Sequence, residues 1–279
     1  MAHSPTQLRL AVLGAGKMGG ILIEAFVKQG LASPQNICAT VQHAAQERRN
    51  LTNLPVSLGT DNRAAVHGAD VILLCVKPQA VAQVVEKIRP EMDGHKLLIS
   101  IAASVPADYI ERRLGSSVPV IRAMPNTPSM VGAGITAISK GRFAKQKDVD
   151  TARKLFDAVG KTVVVDEKYM DAITGLSASG PAFIYIILES LAEGGVKVGL
   201  PRDLATLLAA QMTLGAATMV IETGDHPALL KDTVTTPAGC TIDGILELEE
   251  GGLRVTLIKA VVKAAQRARE LLLTDQEAR

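Results

Sequence analysis

The chain contains no tryptophan, three tyrosines and four phenylalanines in 279 residues. Surfaces that bind single-stranded nucleic acid need exposed aromatic platforms on which bases stack, so this composition disfavours that class of partner. The 30 basic and 28 acidic residues leave a net charge of +2, too little to draw in a polyanion through bulk charge. Cysteine is also scarce: Cys38, Cys75 and Cys240 lie far apart and form no CxxC pair. The five histidines are equally scattered, so the spacing defines neither a disulfide framework nor a metal site. The stretch Met1 to Arg9 lacks the apolar core of a signal peptide. No uninterrupted apolar run approaches the ~20 residues of a membrane span. These absences predict a soluble cytoplasmic protein without metal, membrane or nucleic-acid partner.

What remains is ordinary globular material, with 47% hydrophobic and 21% charged residues and a core that must be built from Ala, Val, Leu and Ile. Domains usually run to roughly 100–200 residues, so this length suggests two. In the first half, short apolar runs alternate with helical patterns. Strands are expected at Leu8 to Leu13, Asn36 to Val41, Asp70 to Val76, Lys96 to Ile101 and Pro119 to Ala123. Helices are expected at Met18 to Lys28, Ala44 to Leu51, Ala80 to Ile88 and Pro106 to Leu114. This alternation argues for an α/β fold with a doubly wound parallel sheet and right-handed crossovers.

The rhythm changes near Val165, beyond which only helical patterns follow, giving domains of 1–165 and 166–279. Phe183 to Leu188 is apolar on every helical face, and the helix from Leu204 to Ile221 is similarly apolar. A module of about 110 residues has difficulty hiding two such helices, which predicts burial against a second subunit.

Gly14-x-Gly16-x-x-Gly19 directly follows one expected strand and opens one expected helix, the context in which this motif signals dinucleotide binding. Gly14 permits the tight turn, Gly16 lets the backbone approach a pyrophosphate, and Gly19 allows close helix–strand packing. NAD-selective sites carry an acidic residue at the end of the second strand. Here the chain reads Ala39-Thr40-Val41-Gln42-His43, with Arg48 and Arg49 nearby, so NADP(H) is favoured and NAD(H) remains possible. Cys75-Val76-Lys77-Pro78 and Ile101-Ala102-Ala103 end strands at the edge where ligand binds. Lys77 is open to catalytic, phosphate-binding or merely solvated roles, with a cofactor-lining backbone favoured for its segment. In Arg122-Ala123-Met124-Pro125-Asn126-Thr127-Pro128, Asn126 either orients nicotinamide or substrate, or caps a turn.

In the helical half, Ser179 is an N-cap candidate before Pro181. The stretch Thr233 to Thr241 leads into a helix expected from Ile242 to Glu249 and offers N–H groups suited to a carboxylate. Cys240 is read as a bystander whose backbone matters rather than as a nucleophile.

Together these segments resemble the pyrroline-5-carboxylate reductase family. The resemblance rests on the glycine loop, Val76-Lys77-Pro78-Gln79, the Arg122 to Pro128 stretch, Thr174-Gly175-Leu176-Ser177-Ala178-Ser179-Gly180-Pro181-Ala182 and, most specifically, Thr236-Pro237-Ala238-Gly239-Cys240-Thr241-Ile242. It implies a Rossmann-type domain, an all-helical dimerisation domain, dimers or rings of dimers, and hydride transfer from NAD(P)H to the C=N carbon of 1-pyrroline-5-carboxylate, giving L-proline. The cofactor positions it implies are Leu13, Gly14, Ala15, Gly16, Lys17 and Met18, then Val41, Gln42 and His43. Asn62, Cys75, Val76, Lys77 and Pro78, and Ile101, Ala102 and Ala103 complete them. Its substrate positions are Thr233, Cys240 and Thr241, with Thr241 hydrogen-bonding the ring nitrogen, and Glu167 close to the site. Gly239, Cys240 and Thr241 are expected to hold the substrate carboxylate through their N–H groups.

Three departures stand out. The family commonly has Gly where Ala178 and Ala238 stand, which is tolerable at negative φ and strained in a left-handed backbone. Asn is common where Thr233 stands. Two rivals are a β-hydroxyacid-dehydrogenase-like enzyme, with Lys197 as its only candidate base, and a non-catalytic NAD(P) sensor.

Overall fold

The computed structural model describes residues 8–42, 56–115 and 117–277. Among them, eight strands form one sheet: β1 (Leu10–Leu13), β2 (Ile37–Thr40), β3 (Ser57–Gly59), β4 (Val71–Leu74), β5 (Leu97–Ser100), β6 (Val120–Met124), β7 (Gly134–Lys140) and β8 (Gly160–Val164). Their order, β3-β2-β1-β4-β5-β6-β7-β8, reverses direction at β1, as in a doubly wound fold. Successive residues of β1 serve opposite faces. Leu10 and Val12 join one core with Phe26, Ile99 and Phe156. Ala11 and Leu13 join the other with Val85, Leu98 and Ile110. Burial on both faces explains why these strands read as continuous apolar runs.

The helices on this sheet are α1 (Lys17–Lys28), α2 (Asn62–His67), α3 (Val81–Ile88), α4 (Ala107–Leu114) and α5 (Gln146–Phe156). The five expected strands are present, each within a few residues of its expected ends. The helix expected at Ala44 to Leu51 lies outside the described residues.

Two features differ from the expectation. β3, β7 and β8 were not expected, and the sheet is not wholly parallel, because β6 pairs antiparallel with β7. Only the short 3-10 turn Thr127–Val131 joins those two strands, whereas a parallel crossover needs a dozen or more residues.

Contacts divide the chain into two units, one of residues 1–178 and 263–279, the other of Ser179–Val262. This cut differs from the change of rhythm near Val165. The first unit retains α6 (Met170–Ile173) and the π-helical turn Thr174–Ala178, where a Cβ on Gly175 would lie 2.6 Å from the Ala265 nitrogen. Helix–helix approach of that closeness ties this segment to the first unit.

The second unit is helical throughout: α7 (Gly180–Lys197), α8 (Arg202–Thr223), α9 (Pro227–Val234) and α10 (Cys240–Glu250). The last helix, α11 (Leu253–Glu277), begins in this unit and ends in the first. Ser179 occupies the N-cap position of α7 but makes no side-chain cap, because its backbone is already helical. Pro181 does lie in the first turn.

α7 and α8 pack on each other yet leave large apolar side chains in solvent, among them Ile186 (63% exposed), Leu207 (63%) and Ile221 (69%). Although no uninterrupted apolar run is long enough, by length and composition Glu167–Lys197 and Arg202–Thr223 could each cross a membrane. The difference arises because isolated polar residues break a run without lowering its mean hydropathy much.

Candidate active site

β1 ends in the glycine loop at the carboxyl edge of the sheet. Gly14 adopts φ +87, and a Cβ there would lie 2.8 Å from Val76 Cγ1 and 3.0 Å from the Cys75 carbonyl oxygen. A Cβ on Gly19 would approach the Gly14 oxygen to 2.8 Å, whereas one on Gly16 would meet no atom within 4 Å. Gly14 and Gly19 thus serve the protein's own turn and packing, while Gly16 leaves space for a ligand. Gly16 is the N-cap of α1 and makes no side-chain cap, so the first N–H groups of that helix, from Lys17 onward, face the loop without a capping partner. Such a start is built for a pyrophosphate, and the residues present fit a nicotinamide dinucleotide.

The loop is tied to β2. The Gly14 and Ala15 N–H groups donate to the Thr40 carbonyl at 3.1 and 2.7 Å. Val41 is buried and Gln42 exposed, and neither is acidic. His43, Arg48 and Arg49 lie outside the described residues.

Beyond β4, Lys77 extends into solvent and Pro78 opens a 3-10 turn, consistent with a segment that contributes backbone. Desolvation pushes the Cys75 thiol up to about 12, so it stays neutral and unreactive at physiological pH. After β5, Ala102 is buried between partly exposed Ile101 and Ala103. Ser104 follows at φ +66, buried, its hydroxyl without a partner among the described residues. Left-handed serine is not visible in a sequence pattern, and this position was missed.

Asn126 turns out to be fully engaged in the protein. Its Oδ1 accepts the Ile135 N–H at 3.0 Å and its Nδ2 donates to the Ser177 carbonyl at 3.3 Å. Its side chain makes no cap on the turn Thr127–Val131 that follows, and bridges the Ile135 and Ser177 backbones instead. Glu167 is engaged too: its Oε1 accepts the Ala107 N–H at 2.7 Å and lies 3.5 Å from Arg122 Nη1. Arg122 is almost wholly buried and also meets Asp171 at 3.2 Å. A carboxylate at the amino end of α4, paired with a buried guanidinium, is placed to fix the segment that carries it.

In the second unit, the turn from Thr236 leads into α10 with Gly239 as its N-cap and no side-chain cap. The helix begins at Cys240, two residues earlier than expected. The Gly239 N–H is taken by the Thr236 carbonyl at 2.9 Å, which corrects its expected role as an anion donor. Cys240 and Thr241, the first two helical residues, keep N–H groups without an intrahelical acceptor. The Thr241 hydroxyl has no partner among the described residues. The Thr233 hydroxyl donates to the Leu230 carbonyl at 2.6 Å, which leaves its oxygen only as an acceptor.

Of the two positions where the family commonly has Gly, Ala178 lies in the π turn without a positive φ, but Ala238 stands at φ +57. A left-handed L-residue costs about 1–2 kcal/mol, partly offset by the greater unfolded-state freedom of glycine. Ala238→Gly is accordingly expected to raise stability by about 0.5–1 kcal/mol. Urea denaturation at fixed protein concentration measures it, and a loss of stability would show that the methyl is well accommodated.

A doubly wound sheet with an open glycine loop, joined in sequence to a helical unit with an anion-ready helix start, defines a nicotinamide-dependent oxidoreductase. Residues 9–104 match the family described as NADP oxidoreductase, coenzyme F420-dependent, and residues 167–271 match pyrroline-5-carboxylate reductase dimerisation. The pyrroline-5-carboxylate reductase of Glycine max is 46% identical over 94% of this chain and 95% of its own length. A solved pyrroline-5-carboxylate reductase from Coxiella burnetii is 35% identical, covers 95% of this chain and 99% of its own, and superposes with a TM-score of 0.86. The Plasmodium falciparum pyrroline carboxylate reductase, solved with NADP bound, is 28% identical, covers 96% and 99%, and gives a TM-score of 0.87. The chain belongs to the pyrroline-5-carboxylate reductase family.

Proposed function

We propose that this protein reduces 1-pyrroline-5-carboxylate to L-proline, the last step of proline biosynthesis, with NADPH preferred over NADH. The observation that carries the reading is the start of α10, where the Cys240 and Thr241 N–H groups and the Thr241 hydroxyl are uncommitted, in a chain of this family. A small carboxylate is the ligand such a helix start suits. In this reading the two N–H groups hold the substrate carboxylate, and the Thr241 hydroxyl hydrogen-bonds the ring nitrogen. When bound, the reduced nicotinamide supplies the hydride that the C=N carbon receives. The nitrogen takes a proton, and because threonine is a weak acid, that proton comes from solvent. A protonated imine is already electrophilic, so the protein's contribution is to bind and orient.

The backbone of Leu13 to Met18, the end of β2 with Asn62, and the segments Cys75 to Pro78 and Ile101 to Ala103 form the cofactor side. The region 1–165 thus serves the cofactor, and 166–279 serves substrate binding and dimerisation. The exposed apolar faces of α7 and α8 are assigned to a second copy of this chain in a homodimer, with rings of dimers as the larger assembly. The match of residues 167–271 to a dimerisation family supports protein rather than lipid as their cover. The enzyme is assigned to the cytoplasm, with no membrane or nucleic-acid partner. Lys197, the candidate base of the dehydrogenase rival, lies exposed in the last turn of α7.

The test is NADPH oxidation followed at 340 nm with and without added pyrroline-5-carboxylate. Oxidation that depends on the imine is expected, and its absence sinks this reading in favour of the dehydrogenase or sensor alternatives. Thr241→Ala in the same assay should lower kcat about tenfold to a hundredfold, the scale of one hydrogen bond to a charged group. An unchanged kcat would remove Thr241 from the site.

A further inference from the structure

The carboxyl end of β2 is where a doubly wound dinucleotide site meets the adenosine ribose, and where NAD-selective sites place an acidic residue. This chain has no carboxylate among its described β2-end residues, but it does have a buried hydrogen-bonded connection. Thr40, the last residue of β2, is 2% exposed. Its carbonyl accepts the Gly14 and Ala15 N–H groups, and its Oγ1 lies 3.4 Å from the Gly14 nitrogen and 2.6 Å from Asn62 Oδ1. An amide oxygen only accepts and a backbone N–H only donates, so the single hydroxyl proton of Thr40 goes to Asn62. That bond holds the oxygen of the Asn62 amide inward and turns its NH2 end away from Thr40.

Asn62 is the first residue of α2, whose N-cap is Asp61. The adjacent carboxylate could have repelled a phosphate, but it is turned to its own helix. Asp61 Oδ1 accepts the Arg63 N–H at 3.0 Å and lies 3.5 Å from Lys87 Nζ. The Arg63 hydrogen bond, the larger cause, and Lys87 hold this carboxyl below the usual range. What the edge offers a ligand is therefore an amide donor beside a carboxylate already met by the Arg63 N–H and Lys87, and a donor suits a phosphate that can only accept.

We propose that Thr40 is a positioning residue for cofactor choice: by fixing the Asn62 amide with its NH2 group outward, it favours the 2′-phosphate of NADP(H) over the 2′-hydroxyl of NAD(H). The proposal rests on the NADPH preference stated above. The same residue holds the glycine loop mainly through its backbone carbonyl, which side-chain substitution retains, while the longer 3.4 Å contact from the Gly14 N–H to its hydroxyl bears on both cofactors alike. Loop geometry and phosphate preference can thus be separated.

The experiment is isothermal titration calorimetry of NADP+ and NAD+ with the full-length protein and three variants. Thr40→Val keeps the shape and removes the hydroxyl. It should lower the ratio of NADP+ to NAD+ affinity about tenfold, chiefly through weaker NADP+ binding, with a matching rise in KM for NADPH and kcat within twofold. Thr40→Ser should keep the ratio within twofold of the parent. Asn62→Asp retains an acceptor for Thr40 but loses the donor, and it should reduce the ratio further. It also carries the test if Thr40→Val does not fold. A Thr40→Val protein that weakens both cofactors equally, or retains the parental ratio, overturns the assignment, as does an unchanged ratio in Asn62→Asp. A parent protein without any NADP+ preference refutes the underlying cofactor reading instead, so the two failures are distinguishable.

Discussion

Gly16→Ala is expected to fold as well as the parent protein and to bind NADPH about a hundredfold more weakly, a loss of roughly 2.7 kcal/mol. The added methyl meets no protein atom within 4 Å, and Gly16 already has a negative φ of −77 that alanine adopts readily. Its effect must therefore fall on whatever approaches the loop from outside, and a pyrophosphate lying against the backbone has no room for a Cβ. Gly14→Ala is the contrasting case. There the methyl would enter the van der Waals space of Val76 and the Cys75 carbonyl in a left-handed backbone, so stability itself should fall by roughly 1–3 kcal/mol. Thermal denaturation paired with NADP+ calorimetry on both variants reads this out. Equal affinity for NADPH in the parent and Gly16→Ala would mean that the open face of the loop is not where the dinucleotide lies.

Arg122→Met is the second large effect, this time on the fold. The guanidinium is 4% exposed and meets Glu167 and Asp171, whose side chains are 32% and 27% exposed. Removing one partner of a buried ion pair typically costs about 3–5 kcal/mol, and the partial exposure of these carboxylates places the expected loss nearer about 2–3 kcal/mol. Glu167→Gln should cost less, because the amide oxygen can still accept the Ala107 N–H. Urea denaturation of both variants gives the comparison. The Glu167 variant also asks whether that carboxylate touches substrate: a KM for the imine raised without loss of stability would return Glu167 to the site. A loss of stability with unchanged KM would confine it to holding α4.

Much of this was open to reading in the chain itself. The glycine loop was legible because its spacing follows a short apolar run, and strand, turn and helix are local consequences of a dozen residues. The fully buried strands were legible for the same reason, since burial on both faces leaves an uninterrupted apolar signature. β7 escaped because its direction depends on the brevity of the turn at Thr127–Val131 and on pairing with β6, not on its own composition. Asn126 and Glu167 look like site residues in a linear motif, and only the packed structure shows their polar atoms meeting Ser177, Ile135, Ala107 and Arg122. Their partners lie 9 to 60 positions away, beyond the reach of any local pattern.

The scarcity of aromatic residues argued by itself against a base-stacking surface, and the near-neutral charge pointed to local N–H groups rather than bulk charge as the means of meeting an anion. The order and spacing of motifs made the resemblance to the family legible, because helix starts and tight turns are written in adjacent residues, and the similarity to known reductases shows the membership. Tertiary structure alone decided which of those N–H groups are uncommitted, removing Gly239 and leaving Cys240 and Thr241. It also decided that Ala238 is left-handed and that Thr40 reaches both Gly14 and Asn62. A hydrogen bond needs two groups brought together within about 3 Å, and when they come from distant parts of the chain that closeness exists only after folding.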